Sequence, residues 1–275
     1  MKEHYLYDNY LRENAKALAW RSLAGMPNII LIFGPTRWGK STLAFCLAKE
    51  ISEVCKVPFT VDNIDFDAEI LVSEASNGKK HHVYVLDEGA FQLKGEDWQN
   101  KASKILRKFF NTAAMYNQTF IICIPFIGEL HKAFIKDEHA CGFRVHAKLN
   151  RKADKPEDMY KKGFVKAYKK YLYAQWKGEK DNVHHSTLWK YASDVPICKF
   201  PKDISFIDED KYQEKKKAAI KKLADDESAS DKSHQRKAGL LAKYVHKEQK
   251  LSYQKIGEII GSHENTVGRL IRAVK

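Results

Sequence analysis

The stretch NIILIFGPTRWGKST, Asn28 to Thr42, decides the fold: an apolar run, a glycine-bounded turn, then Lys-Ser opening a helical pattern. Ile29 to Phe33 has no polar face, which predicts a central parallel strand covered by helices on both sides. The next eight residues, Gly34 to Ser41, fit G-x-x-x-x-G-K-[ST] at every fixed position. Gly34 and Gly39 permit unusual dihedrals and let backbone N–H groups close on phosphate oxygens. Lys40 brings an ammonium to the β- and γ-phosphates, and the Ser41 hydroxyl completes the shell of a magnesium ion held there. The helix beginning at Ser41 and Thr42 points its positive end at the same anion. The expected nucleotide-binding set is Gly34, Pro35, Thr36, Arg37, Trp38, Gly39, Lys40, Ser41 and Thr42, with ATP and Mg2+ as cofactors.

A second stretch, HHVYVLDEGAF from His81 to Phe91, supplies what that loop lacks. Val83 to Leu86 is another buried-type strand, and it ends in two acids where a parallel strand delivers them beside the phosphates. Asp87 is expected to hold the magnesium through its water shell. Glu88 is expected to orient and deprotonate the attacking water. His81 and His82 mark the polar start of the strand.

The chain has 275 residues, enough for one full core and a small second domain. A formal charge of +13 and a pI of about 9.3 favour a polyanionic partner. Cys46, Cys55, Cys123, Cys141 and Cys198 show no C-x-x-C and no zinc spacing, so they are expected to be reduced core residues. There is no signal peptide pattern and no apolar run of about 18 residues, giving a cytoplasmic expectation.

Taken in order, the first 25 residues carry Tyr7, Leu11, Leu18 and Leu23 at helical spacing, predicting a helix against the first strand that Gly25 and Pro27 end. Phe59 to Val61 is read as a short strand and Ile64 to Ser73 as a helix. Trp98 to Tyr116 reads as a helix with Ile105, Leu106, Phe109 and Phe110 inward and its lysines outward. Phe120 to Ile124 is a third buried strand. It ends at Pro125 without the polar γ-phosphate sensor of many ring ATPases, a role left to Thr119 or a later residue. Cys141 to Leu149 alternates as a strand and carries Arg144, the foremost candidate for an arginine finger, with Arg107 and Arg151 behind it. From Arg151 to Lys190 aromatics alternate with lysines, the pattern of a last strand and hairpin or of a nucleic-acid groove. An extended arm follows, closed by a charged helix from about Asp208 to Leu223.

ADDESASDKSHQ, Ala224 to Gln235, reads as a flexible linker. Beyond it, Arg236 to Lys275 reads as three helices, with Ser252 and Ser262 as caps, Gly261 as the tight turn, and Ile256, Ile259, Ile260, Val267 and Ile271 as core. That is helix-turn-helix spacing, whose last helix enters the major groove by its first residues. His263, Glu264, Asn265, Thr266 and Arg269 then face bases or phosphates. Nine Lys and Arg against three Glu suit such a role.

With GPTRWGKS, VLDEGAF and TFIICIPF in view, residues 25 to 215 resemble the compact P-loop ATPases of viruses and plasmids, including zonula occludens toxin-like proteins and genome-packaging ATPases related to FtsK and HerA. The last 40 residues resemble the helix-turn-helix of resolvases and sigma-like regulators. The resemblance implies an α/β, RecA-like P-loop NTPase with a mostly parallel sheet in the additional-strand order, plus a small all-α domain. It implies a homo-oligomeric ring such as a hexamer, moving double-stranded DNA at the expense of ATP; the sequence departs from many zonula occludens toxin-like proteins in showing no membrane span, which favours a soluble motor. The expected domains are 1–223, the ATPase; 224–235, the linker; and 236–275, the helix-turn-helix. Alternatives are an ATP-gated DNA-binding regulator and a replication-initiation or helicase-loading ATPase.

Overall fold

The computed structural model describes residues 5–6, 8–76, 79–87, 116–130, 135, 140–152, 155, 160–168, 177, 196–201, 204–222, 252–260 and 264–273. The chain separates into two compact units, Met1–Lys215 and Lys216–Lys275.

In the first unit seven strands form one sheet: β1 (Asn28–Phe33), β2 (Ile64–Asp65), β3 (Val83–Leu86), β4 (Thr119–Ile124), β5 (Ala140–Leu149), β6 (Tyr160–Tyr168) and β7 (Cys198–Lys199), in the order β2-β3-β4-β1-β5-β6-β7. β2, β3, β4, β1 and β5 run parallel, and β6 and β7 are antiparallel additions. Counted from β5 the parallel part reads 5-1-4-3-2. β4 is therefore the additional strand, inserted between β1 and β3.

The apolar runs become strands because both of their faces are covered. Ile29, Leu31 and Phe33 join Tyr84, Phe120 and Ile122 and helix α3 (Ala68–Ala75) in one buried layer. With period 2, Ile30, Ile32, Val85 and Ile121 turn to the other face. There α2 (Lys40–Cys55) lies across β1, β3 and β4. β1, β3 and β4 are buried at every residue, and each fully buried aliphatic side chain contributes about 1.5–3 kcal/mol. All five cysteines are buried and in no disulfide. Burial raises the Cys55 thiol and pushes that of Cys198 up to about 12, so both stay protonated.

Three local expectations change. The N-terminal helix α1 (Asn9–Leu23) buries Leu11, Ala15, Leu18, Ala19 and Ser22, and that stripe packs mainly on α2 rather than on β1. Leu23 falls outside the stripe and is exposed. Phe59 to Val61 is not a strand: Thr60 caps a 3₁₀ turn, Val61–Asn63, through its hydroxyl. Ile64 starts strand β2 instead of a helix, because the Asp65 and Asp67 side chains both accept backbone N–H bonds and delay helix α3 until Ala68. The helix expected over 98–116 and the linker 224–235 lie outside the described residues.

After β7 the chain reaches helix α4, residues 209–222, and the boundary between the two units falls inside it. In the second unit, α5 (Tyr253–Ile260) and α6 (Glu264–Ala273) pack through Ile256 and Val267, with Ile271 against them. Ser252 caps α5, its Oγ accepting from Lys255 N. Gly261 and Ser262, read as turn and cap, lie outside the described residues, as does the helix ahead of α5.

Candidate nucleotide-binding site

The site forms at the C-terminal edge of the parallel strands. At the opposite edge the strand starts are tied down: Asn28 Nδ2 donates to Leu18 O and to Thr119 Oγ1, at 2.9 and 3.0 Å. Thr119 is thereby excluded as a phosphate sensor. It pairs with Asn28, whereas Ile124 pairs with Phe33 beside the loop, and the five residue steps between them span about 16 Å. At the loop end β4 offers Ile124 and Pro125, whose carbonyl accepts from Gly34 N at 3.1 Å.

The loop is held by close backbone approach. Gly34 has φ 135°, and a Cβ there would meet Val145 Cγ2 at 2.7 Å and Val145 O at 2.9 Å. Gly39 has φ 92°, with Phe200 ring carbons 3.2 Å from where a Cβ would stand. Arg37 also takes a left-handed φ, 64°. Thr36 and Arg37 are exposed at the tip; Pro35, Trp38, Lys40, Ser41 and Thr42 are half-buried. No side chain caps the N-terminus of α2 at Gly39. Its first-turn N–H groups are of the kind that accept anions at helix N-termini. Lys40 Nζ curls back to donate to the carbonyls of Gly34 and Pro35 at 2.9 and 3.0 Å, which keeps the ammonium over the loop.

Asp87 follows β3 directly and is 1% exposed. Ser41 Oγ donates to its Oδ1 at 3.1 Å, joining the residues expected at the metal. Its other oxygen, Oδ2, accepts from the Tyr212 hydroxyl at 2.6 Å, a bond that no motif announced. Burial first, then the charge of Asp87 and the bond to it, push the Tyr212 phenol far above the usual range, so it remains a protonated donor. A hydroxyl oxygen and a carboxylate oxygen side by side under a phosphate cradle fit a magnesium–nucleotide complex by donor type, since Mg2+ takes oxygen ligands and few of them from protein. Among the described residues no group of three or more His, Cys, Asp or Glu gathers for a metal.

Arg144 is half-buried in β5, opposite Phe33 of β1 and Lys166 of β6, so it stands beside its own chain's loop. Glu88, His263, Arg107 and, within the aromatic-basic stretch 151–190, residues 169–176 and 178–190 lie outside the described residues. Asn265 and Arg269 of α6 are exposed, Thr266 is half-buried, and Glu264 is the first residue of that helix. Phe200 and Tyr212 are the site residues that motif reading passed over. The one signal for Tyr212 was its place as an aromatic in an otherwise charged helix.

The β1–loop–α2 unit, β3 with Asp87 at its end and the inserted β4 belong to an α/β fold with a mixed, mostly parallel sheet that resembles P-loop NTPase structures. Comparison with solved structures finds remote likenesses. The genome packaging NTPase B204 of Sulfolobus turreted icosahedral virus 2, in complex with AMPPCP, is 11% identical, with a TM-score of 0.38 over 64% of this chain and 99% of its own. The N-terminal domain of zonular occludens toxin from Neisseria meningitidis is 14% identical, with a TM-score of 0.37 over 65% and 96%. A chain of the HORMA:CdnC:Trip13 complex of E. coli MS115-1 is 8% identical, with a TM-score of 0.35; the match covers 47% of this chain and only 60% of that one. No protein-family model matches the chain, and no curated protein does. Among the described residues no helix is long and apolar enough to cross a membrane.

Proposed function

We propose that this chain is a MgATP-hydrolysing P-loop enzyme that couples turnover to the binding or movement of double-stranded DNA. The observation that carries the reading is the meeting of Ser41 and Asp87, 3.1 Å apart, beneath a loop whose Gly34 has no room for a Cβ and whose Gly39, at positive φ, stands tight against Phe200. In it, backbone N–H groups of the loop and Lys40 bind the phosphates, and Ser41 and Asp87 hold the magnesium, which neutralises phosphate charge when bound. Glu88, the residue after Asp87, takes the proton of the attacking water. Arg144 stabilises charge developing on the transferred phosphoryl group, in the same or a neighbouring subunit of a homo-oligomeric ring. The DNA-binding part of the proposal draws on the net charge of +13 and on α5 and α6, the last of which carries exposed Asn265 and Arg269.

The test is steady-state ATP hydrolysis without DNA and with unrelated double-stranded DNA at two salt concentrations, with Glu88→Gln as control. Turnover that DNA of any sequence stimulates, that salt suppresses and that Glu88→Gln abolishes is the expected result. Slow turnover indifferent to DNA would instead assign an ATP-gated regulator whose specificity lies in residues 236–275. Removal of those residues should weaken DNA binding while ATP hydrolysis persists.

A further inference from the structure

We propose that Phe200 is a positioning residue for the phosphate loop: its ring holds the Gly39 backbone in the conformation from which the first N–H groups of α2 meet a polyphosphate. The inference rests on the nucleotide reading above and adds to it a residue far along the chain from the loop.

Gly39 is where α2 starts. It takes a left-handed φ of 92°, and its carbonyl accepts the first helical bond, from Leu43 N at 3.0 Å. The N–H groups that follow are those the nucleotide reading aims at phosphate. Glycine loses more conformational freedom than any other residue when its backbone is fixed, so a loop bounded by two glycines gains affinity from whatever holds it in advance. At Gly39 that support is an aromatic edge: two ring carbons of Phe200 stand 3.2 Å from where a Cβ would lie.

Phe200 is itself clamped. It follows β7 directly, is 6% exposed, and donates its N–H to Gly163 O at 2.9 Å. Gly163 also has φ 92°, and Phe200 O lies 3.2 Å from the place of a Cβ there. Phe200 thus sits between two glycines, its carbonyl on Gly163 of β6 and its ring on Gly39. Pro201 comes next in the chain and biases the Phe200 backbone toward extended conformations.

The same antiparallel extension backs the other loop glycine. Val145 of β5, which stands where a Cβ at Gly34 would go, is in register with Val165 of β6, and Val165 is in register with Cys198 of β7, two residues before Phe200. Residues in register share a face of the sheet. Val145 and Val165 are fully buried and Cys198 is 2% exposed. One buried row therefore starts at Gly34 and leads, through β6 and β7, to the residue that meets Gly39.

The experiment measures the affinity of the purified full chain for N-methylanthraniloyl ATP by fluorescence, together with the thermal midpoint. The background is Glu88→Gln, so that turnover does not interfere. Phe200→Leu keeps apolar volume and takes the ring edge away from Gly39. It should weaken binding about tenfold, the size set by fixing one residue's backbone. Inorganic tripolyphosphate, which displaces the probe through phosphate contacts alone, should weaken by the same factor. Phe164→Leu is the matched control: it makes the same exchange at a buried residue on the opposite face of β6 from Val165, and should leave affinity unchanged. In a Gly39→Ala background Phe200→Leu should cause no further loss, because Phe200 acts through Gly39. Unchanged affinity in Phe200→Leu, an equal loss in Phe164→Leu, a loss absent for tripolyphosphate, or a full second loss on top of Gly39→Ala each overturns the proposal. If Phe200→Leu fails to fold, Gly163→Ala, which crowds the Phe200 carbonyl from the other side, should weaken binding by a smaller factor, and unchanged affinity there overturns it too. A parent chain that binds neither the probe nor tripolyphosphate would instead sink the pocket reading itself, and this inference with it.

Discussion

The loop from Gly34 to Ser41 and the strap formed by β7, Phe200 and α4 close on the same site by different physical means. In the loop, backbone is pressed against backbone: positive φ at Gly34, Arg37 and Gly39, and Val145 where a Cβ at Gly34 would go. In the strap, large side chains are buried: the Phe200 ring on Gly39, and Tyr212 among Phe45, Phe66 and Asp87. A site of the first kind tolerates few residue types at fixed spacing and therefore leaves a motif. A site of the second kind asks only for apolar volume with one hydroxyl and leaves none.

The largest effect separating the two should come from Gly34→Ala. Left-handed strain and a Cβ forced onto Val145 should together cost about 3 kcal/mol or more in denaturant unfolding. Gly25→Ala is the matched control, since Gly25 has φ 91° but nothing within 4 Å of a Cβ, and should cost only about 1 kcal/mol. Equal losses would mean that strain alone, without the approach of Val145, accounts for the loop.

Lys40→Ala should weaken nucleotide binding about tenfold or more by loss of a charged donor, with a thermal midpoint close to that of the parent. A large fall in the midpoint would make Lys40 part of the scaffold, through Gly34 O and Pro35 O, and blur the contrast with the strap.

A smaller effect distinguishes the far edge of the sheet. Burial, and then the charge of Lys79, hold the His82 imidazole below its ordinary range, and its Nδ1 has no hydrogen-bond partner among the described residues. The unfolded chain therefore binds the proton first. Stability should be full above about pH 6.5 and decline as pH falls from there toward the lower folded value. Denaturant midpoints between pH 7.5 and pH 5 should show this slope, and His82→Gln should flatten it.

The smallest effect is expected at the outer anchor of the strap. The Lys211–Asp62 pair is largely exposed, 49% and 68% at its side chains. The lysine holds the Asp62 carboxyl below the usual range, yet salt screens such pairs. Asp62→Asn should leave the unfolding midpoint nearly unchanged at high salt. A large loss there would mean that the strap is held by its ion pairs rather than by Tyr212 and Phe200.

Much of the framework was legible beforehand because parallel strands buried on both faces must be apolar throughout. Ile29–Phe33, Val83–Leu86 and Phe120–Ile124 carry that mark, and all three are central strands. The run 59–67 was misread, and the helix start with it, because Thr60, Asp65 and Asp67 redirect the backbone through side-chain caps, which hydrophobic period does not reveal. At the candidate site, the sequence singled out Lys40, Ser41 and Asp87, since phosphate chemistry prescribes residue types at set distances along the chain, and the structure brings Ser41 and Asp87 together. Thr119 was entertained as a sensor only because strand register is invisible in one dimension.

Local sequence thus determined the strands, the glycine loop and the acid that follows β3, each a matter of backbone conformation or of chemistry between near neighbours. Tertiary structure alone decided that Ser41 and Asp87 meet across the inserted β4, that Val145 and Phe200 wall the two glycines, and that Tyr212 returns 125 residues later to hold the same carboxylate. Those contacts depend on which strands are adjacent and how a late helix packs, and burial energy accepts many side chains there without prescribing a spacing.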